Sequence, residues 1–309
     1  MNGVAMNRIV VVGSSNTDMI IRLPRIPNPG ETIIGGEFSM AAGGKGANQA
    51  VAAARAGGDV AFIARVGADV FGEQAVYGLV GDGINVQGIV RDPEAPSGVA
   101  LIFVGGDGEN SIAVASGANA RLSVDDVERA RDVIASARVL LVQLEIPLET
   151  VRAAVELAAP EALVILNPAP ATPLDNGLLA RVTILTPNAS EAEALTGVAI
   201  ADEASAARAA NVLLDRGVKT VLITLGPQGA YVAGEEFQGI VPGFSVTAVD
   251  TTAAGDVFNG ALAIALAEKN PLPDAVRFAN AAAALSVTRL GAQPSVPTRR
   301  DIDTFLSSR

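Results

Sequence analysis

Chemistry is most concentrated at Asp250-Thr251-Thr252-Ala253-Ala254-Gly255-Asp256, which runs directly into an apolar helical pattern, Val257-Phe258-Asn259-Gly260-Ala261-Leu262-Ala263-Ile264. A β-branched run ending at Val249 precedes it, so the sequence predicts a strand turning through small residues into a helix. Such a turn leaves several backbone N–H groups unpaired and aimed at one spot, with the positive end of the helix dipole behind them. That is an anion site. An aspartate there repels a phosphate, so Asp256 fits better as the acceptor of a proton from a hydroxyl that attacks the phosphate. Taken alone, Asp256 also reads as a first-turn acid that steadies a helix start.

Polar residues recur wherever a predicted strand ends, as they do in open α/β sheets that bind ligands there. They stand at Gly13-Ser14-Ser15-Asn16-Thr17-Asp18, Gln143-Leu144-Glu145, Thr186-Pro187-Asn188-Ala189-Ser190-Glu191 and Thr224-Leu225-Gly226-Pro227-Gln228-Gly229. Each stretch also reads as a turn or a cap, Asn188 with Glu191 being a capping pair. The first lacks the G-x-G-x-x-G spacing of a dinucleotide site. Gly43-Gly44-Lys45-Gly46-Ala47-Asn48-Gln49 is not a P-loop either, since Ser39 stands five before Gly44 and Gly46 follows Lys45. Instead it opens a helix with Lys45 and Asn48 on one turn, donors spaced for neighbouring hydroxyls of a small polyol.

Composition removes many alternatives. The chain has no cysteine and no histidine, which excludes disulfides, thiol catalysis, Cys/His zinc sites and a Ser-His-Asp triad. A general base must be a carboxylate, a lysine or one of the two tyrosines. The net charge of −11, without a basic cluster, argues against nucleic acid as a partner. ATP would have to be held locally by loop amides, helix ends, a lysine and a divalent metal ion. With half of the 309 residues apolar and no linker, a single domain over 1–309 is expected. No stretch is apolar for long enough to span a bilayer, and the Ile9-Val10-Val11-Val12 run is too short for a signal peptide, so a cytoplasmic location is expected. Residues 1–5 read as a tail, with Met6 a second possible start.

Short β-branched runs alternate with alanine-rich amphipathic stretches, the pattern of an α/β fold whose parallel sheet is covered on both faces. Strands are predicted over 8–12, 60–65, 85–90, 139–143, 163–166, 182–185, 220–224 and 245–249, and helices over 47–56, 70–80, 124–135, 148–158, 204–216, 256–268 and 274–289. Ser123 with Asp126 predicts a capping box, and Gly57 and Gly217 follow helix ends. Two stretches break the rhythm: 19–38, with strand-like pieces at 20–23 and 32–34 among prolines, and a hairpin pattern, 98–104 with 110–115, around Gly105-Gly106-Asp107-Gly108. They predict a small antiparallel sheet built from about 16–40 and 97–117, serving as a lid or a dimer contact.

Together these segments resemble the PfkB carbohydrate kinase family. The likeness runs essentially end to end, through 16–18, 43–49, 143–145, Asn167-Pro168-Ala169-Pro170, 186–188, 250–256 and Gly291-Ala292-Gln293-Pro294-Ser295-Val296-Pro297. It implies a three-layer α/β/α fold and ATP-dependent phosphorylation of D-ribose at its 5-hydroxyl. By that resemblance Asn16, Thr17, Asp18, Gly44, Lys45, Asn48 and Glu145 bind the sugar, Asp256 is the base, and the amides of Ala253, Ala254 and Gly255 form an anion hole. The nucleotide lies along Thr224, Leu225, Gly226, Pro227, Gln228 and Gly229, with Asn280 near the adenine. Asn188 and Glu191 organise magnesium (Mg2+) and phosphate. A potassium ion (K+) is held by Asp250, Thr252, Ser286, Arg289, Gly291 and Ser295. The resemblance also implies a homodimer formed through the lid. The same scaffold would serve a kinase of deoxyribose, fructose or a nucleoside, and a silent sugar sensor is the alternative of another class.

Overall fold

A computed structural model describes residues 8–107 and 109–309. The expected tail at 1–5 and Gly108 of the hairpin turn lie outside the described residues. The strands are β1 (Arg8–Val12), β2 (Asn16–Arg22), β3 (Glu37–Gly43), β4 (Asp59–Gly67), β5 (Asn85–Asp92), β6 (Gly98–Val104), β7 (Asn110–Ala115), β8 (Val139–Val142), β9 (Leu163–Leu166), β10 (Ile184–Leu185), β11 (Thr220–Thr224), β12 (Gly229–Ala233) and β13 (Gln238–Pro242). The helices are α1 (Lys45–Arg55), α2 (Val70–Gly81), α3 (Val124–Arg129), α4 (Arg131–Ala135), α5 (Leu148–Leu157), α6 (Asn176–Leu179), α7 (Ala189–Thr196), α8 (Glu203–Asp215), α9 (Ala254–Ala267), α10 (Leu272–Ser286) and α11 (Arg299–Ser307).

The large sheet has the order β13-β12-β11-β10-β9-β8-β1-β4-β5 among the described residues. It is parallel from β5 to β11 and antiparallel at β12 and β13. Strands β8, β9 and β10 are apolar at every position, and β1 is after Arg8, because both faces are covered. In β1, Ile9 and Val11 enter the core packed by α1, α9 and α10, whereas Val10 and Val12 enter the core packed by α5 and α8. Three layers result. The helices of the first layer approach closely because their facing residues are small: a Cβ on Gly260 of α9 would lie 2.5–2.7 Å from the Ala52 side chain and the backbone of Gln49 and Ala53 in α1. This crossing draws the start of α9 against α1.

A second sheet has the order β3-β2-β6-β7, antiparallel in its two outer pairs and parallel between β2 and β6. Alternation along each strand gives it two different faces. The register places Asp18, Ile20, Ile102 and Ile112 on the face over the cleft and Phe38, Met40 and Leu101 on the other.

Several expectations need correction. Residues 245–249 form no strand: Val249 and Asp250 donate their N–H groups to the one carbonyl of Val287, and no neighbouring strand offers a ladder. The segment is β-branched but irregular, and it reaches α9 outside the sheet. Residues 32–34 are also without strand structure. The helix expected over 124–135 is broken at Ala130, which ends α3 and begins α4. The hairpin β12–β13 and helices α6, α7 and α11 come in addition to the expected elements. Among the described residues, no helix is long and apolar enough to cross a membrane.

Candidate active site

At the start of α9, Ala253 is the N-cap in the left-handed region, φ 59°, with no side chain capping the helix. The loop before it is tied down by Asp250, whose carboxylate accepts from the N–H groups of Thr252 and Gly291, both at 2.9 Å. The first helical bond is Val257 N–H to the Ala253 carbonyl, 2.9 Å. The amides of Gly255 and Asp256 precede it and open towards a cavity of about 160 Å³ lined by both residues. The Ala254 amide is partly engaged, 3.3 Å from the Thr251 carbonyl.

Asp256 is 6% exposed, and its carboxylate is held on both oxygens. Oδ2 accepts from Asn48 Nδ2 at 3.0 Å and Oδ1 from Gln49 Nε2 at 2.9 Å. Both donors come from α1, whose own start is set by Gly44 at φ 88°, a conformation that favours glycine. The α1 amides are capped from another strand end: Glu145 Oε2 accepts from the Lys45 N–H at 3.0 Å and from Ser14 Oγ at 2.5 Å.

Lys45 feels the charges of three carboxylates, Asp256, Glu145 and Glu191, while Asp18 feels those of Glu145 and Asp256. Burial pushes Asp18 up to about 7, with Glu145 and Asp256 adding to the effect. Burial also raises Asp256 above the ordinary carboxylate value, against the lowering influence of Lys45, Asn48 and Gln49. Glu191 is raised by burial as well. Lys45 loses by burial but gains more from Asp256, Glu145 and Glu191, and its pKa rises. A proton acceptor therefore sits beside a fixed positive charge and open helix amides. That combination suits transfer of an anionic group to a hydroxyl.

Two wider clefts flank the inner cavity. One, of about 390 Å³, lies between the small sheet and residues 248–252 and is lined by Asp18, Thr251 and Thr252. The other, of about 460 Å³, is lined by Asn188, Thr224, Leu225, Gly226, Gln228 and Gly255. The inner cavity shares Thr251 with the first cleft and Asn188, Thr224 and Gly255 with the second, so Asp256 lies between them.

The structure thus brings together most of the expected residues. Asn16 and Thr17 begin β2 beside Asp18, and Asn16 Oδ1 accepts from Asn119 Nδ2 at 2.7 Å. Pro227 lies in the short 3-10 turn Gly226–Gln228, and Gly229 follows it as the first residue of β12. Asn188 and Glu191 form a complete capping box at α7, with Glu191 also lining the inner cavity. Asn280 is set apart: it is buried and donates to the carbonyls of Val241 and Pro242, both at 3.1 Å. Ser286 and Ser295 are buried and turn their hydroxyls to the Ala283 and Ala292 carbonyls, and Arg289 pairs with Asp301 at 3.6 Å. Sequence reasoning did not single out Gln49, Asn119, Thr186 or Asn259 as site partners. Their signal was modest, a polar residue next to a strand end or one helical position from a motif residue.

The PfkB family carbohydrate kinase model matches residues 6–299. Ribokinase from Haemophilus influenzae is 47% identical over 96% of this chain and 98% of its own length. Ribokinase from Thermotoga maritima superposes with a TM-score of 0.89 at 38% identity, covering 97% of this chain and 99% of that one. The Arabidopsis thaliana ribokinase, solved in complex with ribose and ATP, gives a TM-score of 0.85 at 34% identity, covering 97% and 98%. The chain belongs to the PfkB family of carbohydrate kinases.

Proposed function

We infer that the chain catalyses transfer of the γ-phosphoryl group of ATP to the 5-hydroxyl of D-ribose. The observation that carries the chemistry is a buried carboxylate, Asp256, at an uncapped helix start between two clefts. Ribose lies under the small sheet against Asn16, Asp18, Lys45 and Asn48, and ATP lies along Thr224 to Gly229. Asn48 supports this placement: its Nδ2 donates to Asp256, while its buried Oδ1 has no partner and is free to accept from a sugar hydroxyl. Asp256 takes the hydroxyl proton, the sugar oxygen bonds to the γ-phosphorus, and the bond from that phosphorus to the bridging oxygen of ADP breaks. The charge on the moving phosphoryl group meets the α9 amides and Lys45.

Magnesium fits as a companion of ATP. Among the described residues no three acidic or other metal-binding side chains stand close enough to hold a metal ion by themselves; of the two carboxylates lining the inner cavity, Asp256 is held by Asn48 and Gln49, so Glu191 would be the one to meet a phosphate-bound magnesium. When bound, it neutralises phosphate charge. Potassium would be held where Asp250 joins the 250–252 loop to Gly291 beside the start of α9, through oxygen atoms of these residues, and would help to hold the helix start in place. Asn280 supports the adenine end through its position on α10, next to β13. The chain acts as one domain in the cytoplasm. Its lid presents exposed Phe38, Met40 and Leu101 on the face away from the cleft, an apolar surface that a second copy would cover in a homodimer.

Release of ADP measured with ribose, deoxyribose, fructose and a nucleoside, in magnesium and potassium, tests the reading. ATP turnover that requires ribose, with the highest kcat/KM for that sugar, is expected. Equal turnover with and without sugar contradicts it, and preference for another acceptor replaces ribose by a sister substrate.

A further inference from the structure

Gln49 is completely buried, yet neither the sugar nor the nucleotide is expected to touch it. Both its amide nitrogen and its carbonyl oxygen have partners. Nε2 donates to Asp256 Oδ1 at 2.9 Å and to Asn167 Oδ1 at 3.1 Å, and Oε1 accepts from Gln143 Nε2 at 2.5 Å. The direction of these amides is anchored by a group that can only accept. Asn167 Nδ2 donates to the Thr186 backbone carbonyl at 3.1 Å, so Asn167 must turn Oδ1 towards Gln49. Gln49 must then present its NH2 group to Asn167, and the same NH2 group reaches Asp256. A flipped Gln49 would set oxygen against oxygen twice.

We propose that Gln49 is a positioning residue for phosphoryl transfer: clamped by Gln143 and Asn167, it fixes the plane of the Asp256 carboxylate and keeps an acceptor lone pair on the attacking hydroxyl. The proposal rests on the reading of Asp256 as base. Asn48 alone, bonded to Oδ2, would leave the carboxylate free to rotate about that single contact. Three strand ends, β8 through Gln143, β9 through Asn167 and β10 through Thr186, therefore determine the orientation of one atom pair on α9.

Gln49→Met keeps the volume and removes the donor. It should lower kcat by about tenfold to a hundredfold, with KM for ribose and for ATP each within about twofold, because alignment rather than binding is lost. Gln49→Glu keeps the shape and can still accept from Gln143, so it serves if the methionine variant does not fold. It should lower kcat similarly and move the acidic limb of the kcat profile to higher pH by a unit or more, since two carboxylates then share a proton. The other groups facing Asp256, namely Lys45, Asp18, Glu145 and Glu191, are unchanged in both variants. Thr150→Val is the stability control: it deletes another fully buried hydrogen bond, from Thr150 Oγ1 to the Leu122 carbonyl, away from the site. It should lose stability and keep kcat. The proposal is overturned if the Gln49 variants, like Thr150→Val, lose stability but keep kcat, and the acidic limb stays in place. Asp256→Asn, run alongside, separates the two claims: an active Asp256→Asn removes the base, whereas an inactive one with unaffected Gln49 variants removes only the positioning role.

Discussion

Helices α3 and α9 begin in opposite ways. At α3, Ser123 and Asp126 form a reciprocal capping box, so the first turn has its donors satisfied by protein. At α9 no side chain caps the helix, the N-cap residue is an alanine in the left-handed region, and the next residue but one is a glycine facing open space. The first arrangement is what stability alone selects. The second leaves donors for a ligand at some conformational cost, and a buried carboxylate stands among them. A missing cap alone is not the signal, since α5 and α10 also start without one; at α9 it coincides with a left-handed N-cap, a glycine and a buried carboxylate.

The contrast can be broken from several sides. Gly255→Ala should help α9 fold, because alanine is the better helix former, and a Cβ there meets no protein atom within 4 Å. If that space is the phosphate path, KM for ATP should rise by about tenfold or more while thermal stability holds or improves; an unchanged KM would mean that the phosphate lies elsewhere. Gly260→Ala pushes α9 off α1, whose backbone atoms stand 2.6–2.7 Å from the new Cβ. A stability loss of about 1–3 kcal/mol in denaturant melts, accompanied by a fall in kcat, is expected.

Asp18 carries a charge cost of the same kind. Its pKa is about 7 in the folded protein against an ordinary 3.8, so the folded state binds the extra proton between these values and stability falls as pH rises from about 4 to 7. Asp18→Asn should flatten that slope and raise the melting temperature of the ligand-free protein at pH 8, with an effect on the order of 1 kcal/mol. Ser123→Ala should cost about 1 kcal/mol and leave kcat alone, as expected of a cap that serves only the helix. The smallest change belongs to Ala253→Gly, where relief of left-handed strain is offset by glycine's greater chain entropy, leaving a net shift below about 1 kcal/mol.

Much of this was legible in the chain. The apolar runs of β1, β8 and β9 read directly as buried parallel strands, and the glycines after α1 and α8 fell where the helices end. Residues 245–249 misled because β-branching favours a strand, while a strand also needs a neighbour, and here Val249 and Asp250 both donate to the single carbonyl of Val287. The β12–β13 hairpin was hidden behind the glycine-rich loop that precedes it. At the site, Asp256, Lys45 and Asn48 were recognisable from local pattern. The clamp on Asp256 was not, because Gln49 and Asp256 are 207 positions apart and only the α1–α9 crossing joins them.

The central claim is that Asp256 accepts the proton of the attacking sugar hydroxyl. Single-turnover formation of ribose 5-phosphate by Asp256→Asn, at saturating ribose and ATP with magnesium and potassium, addresses it without interference from product release. The account predicts a rate lower by about a hundredfold to ten-thousandfold with the fold and ATP binding intact. A rate within a few fold of the wild type would contradict it.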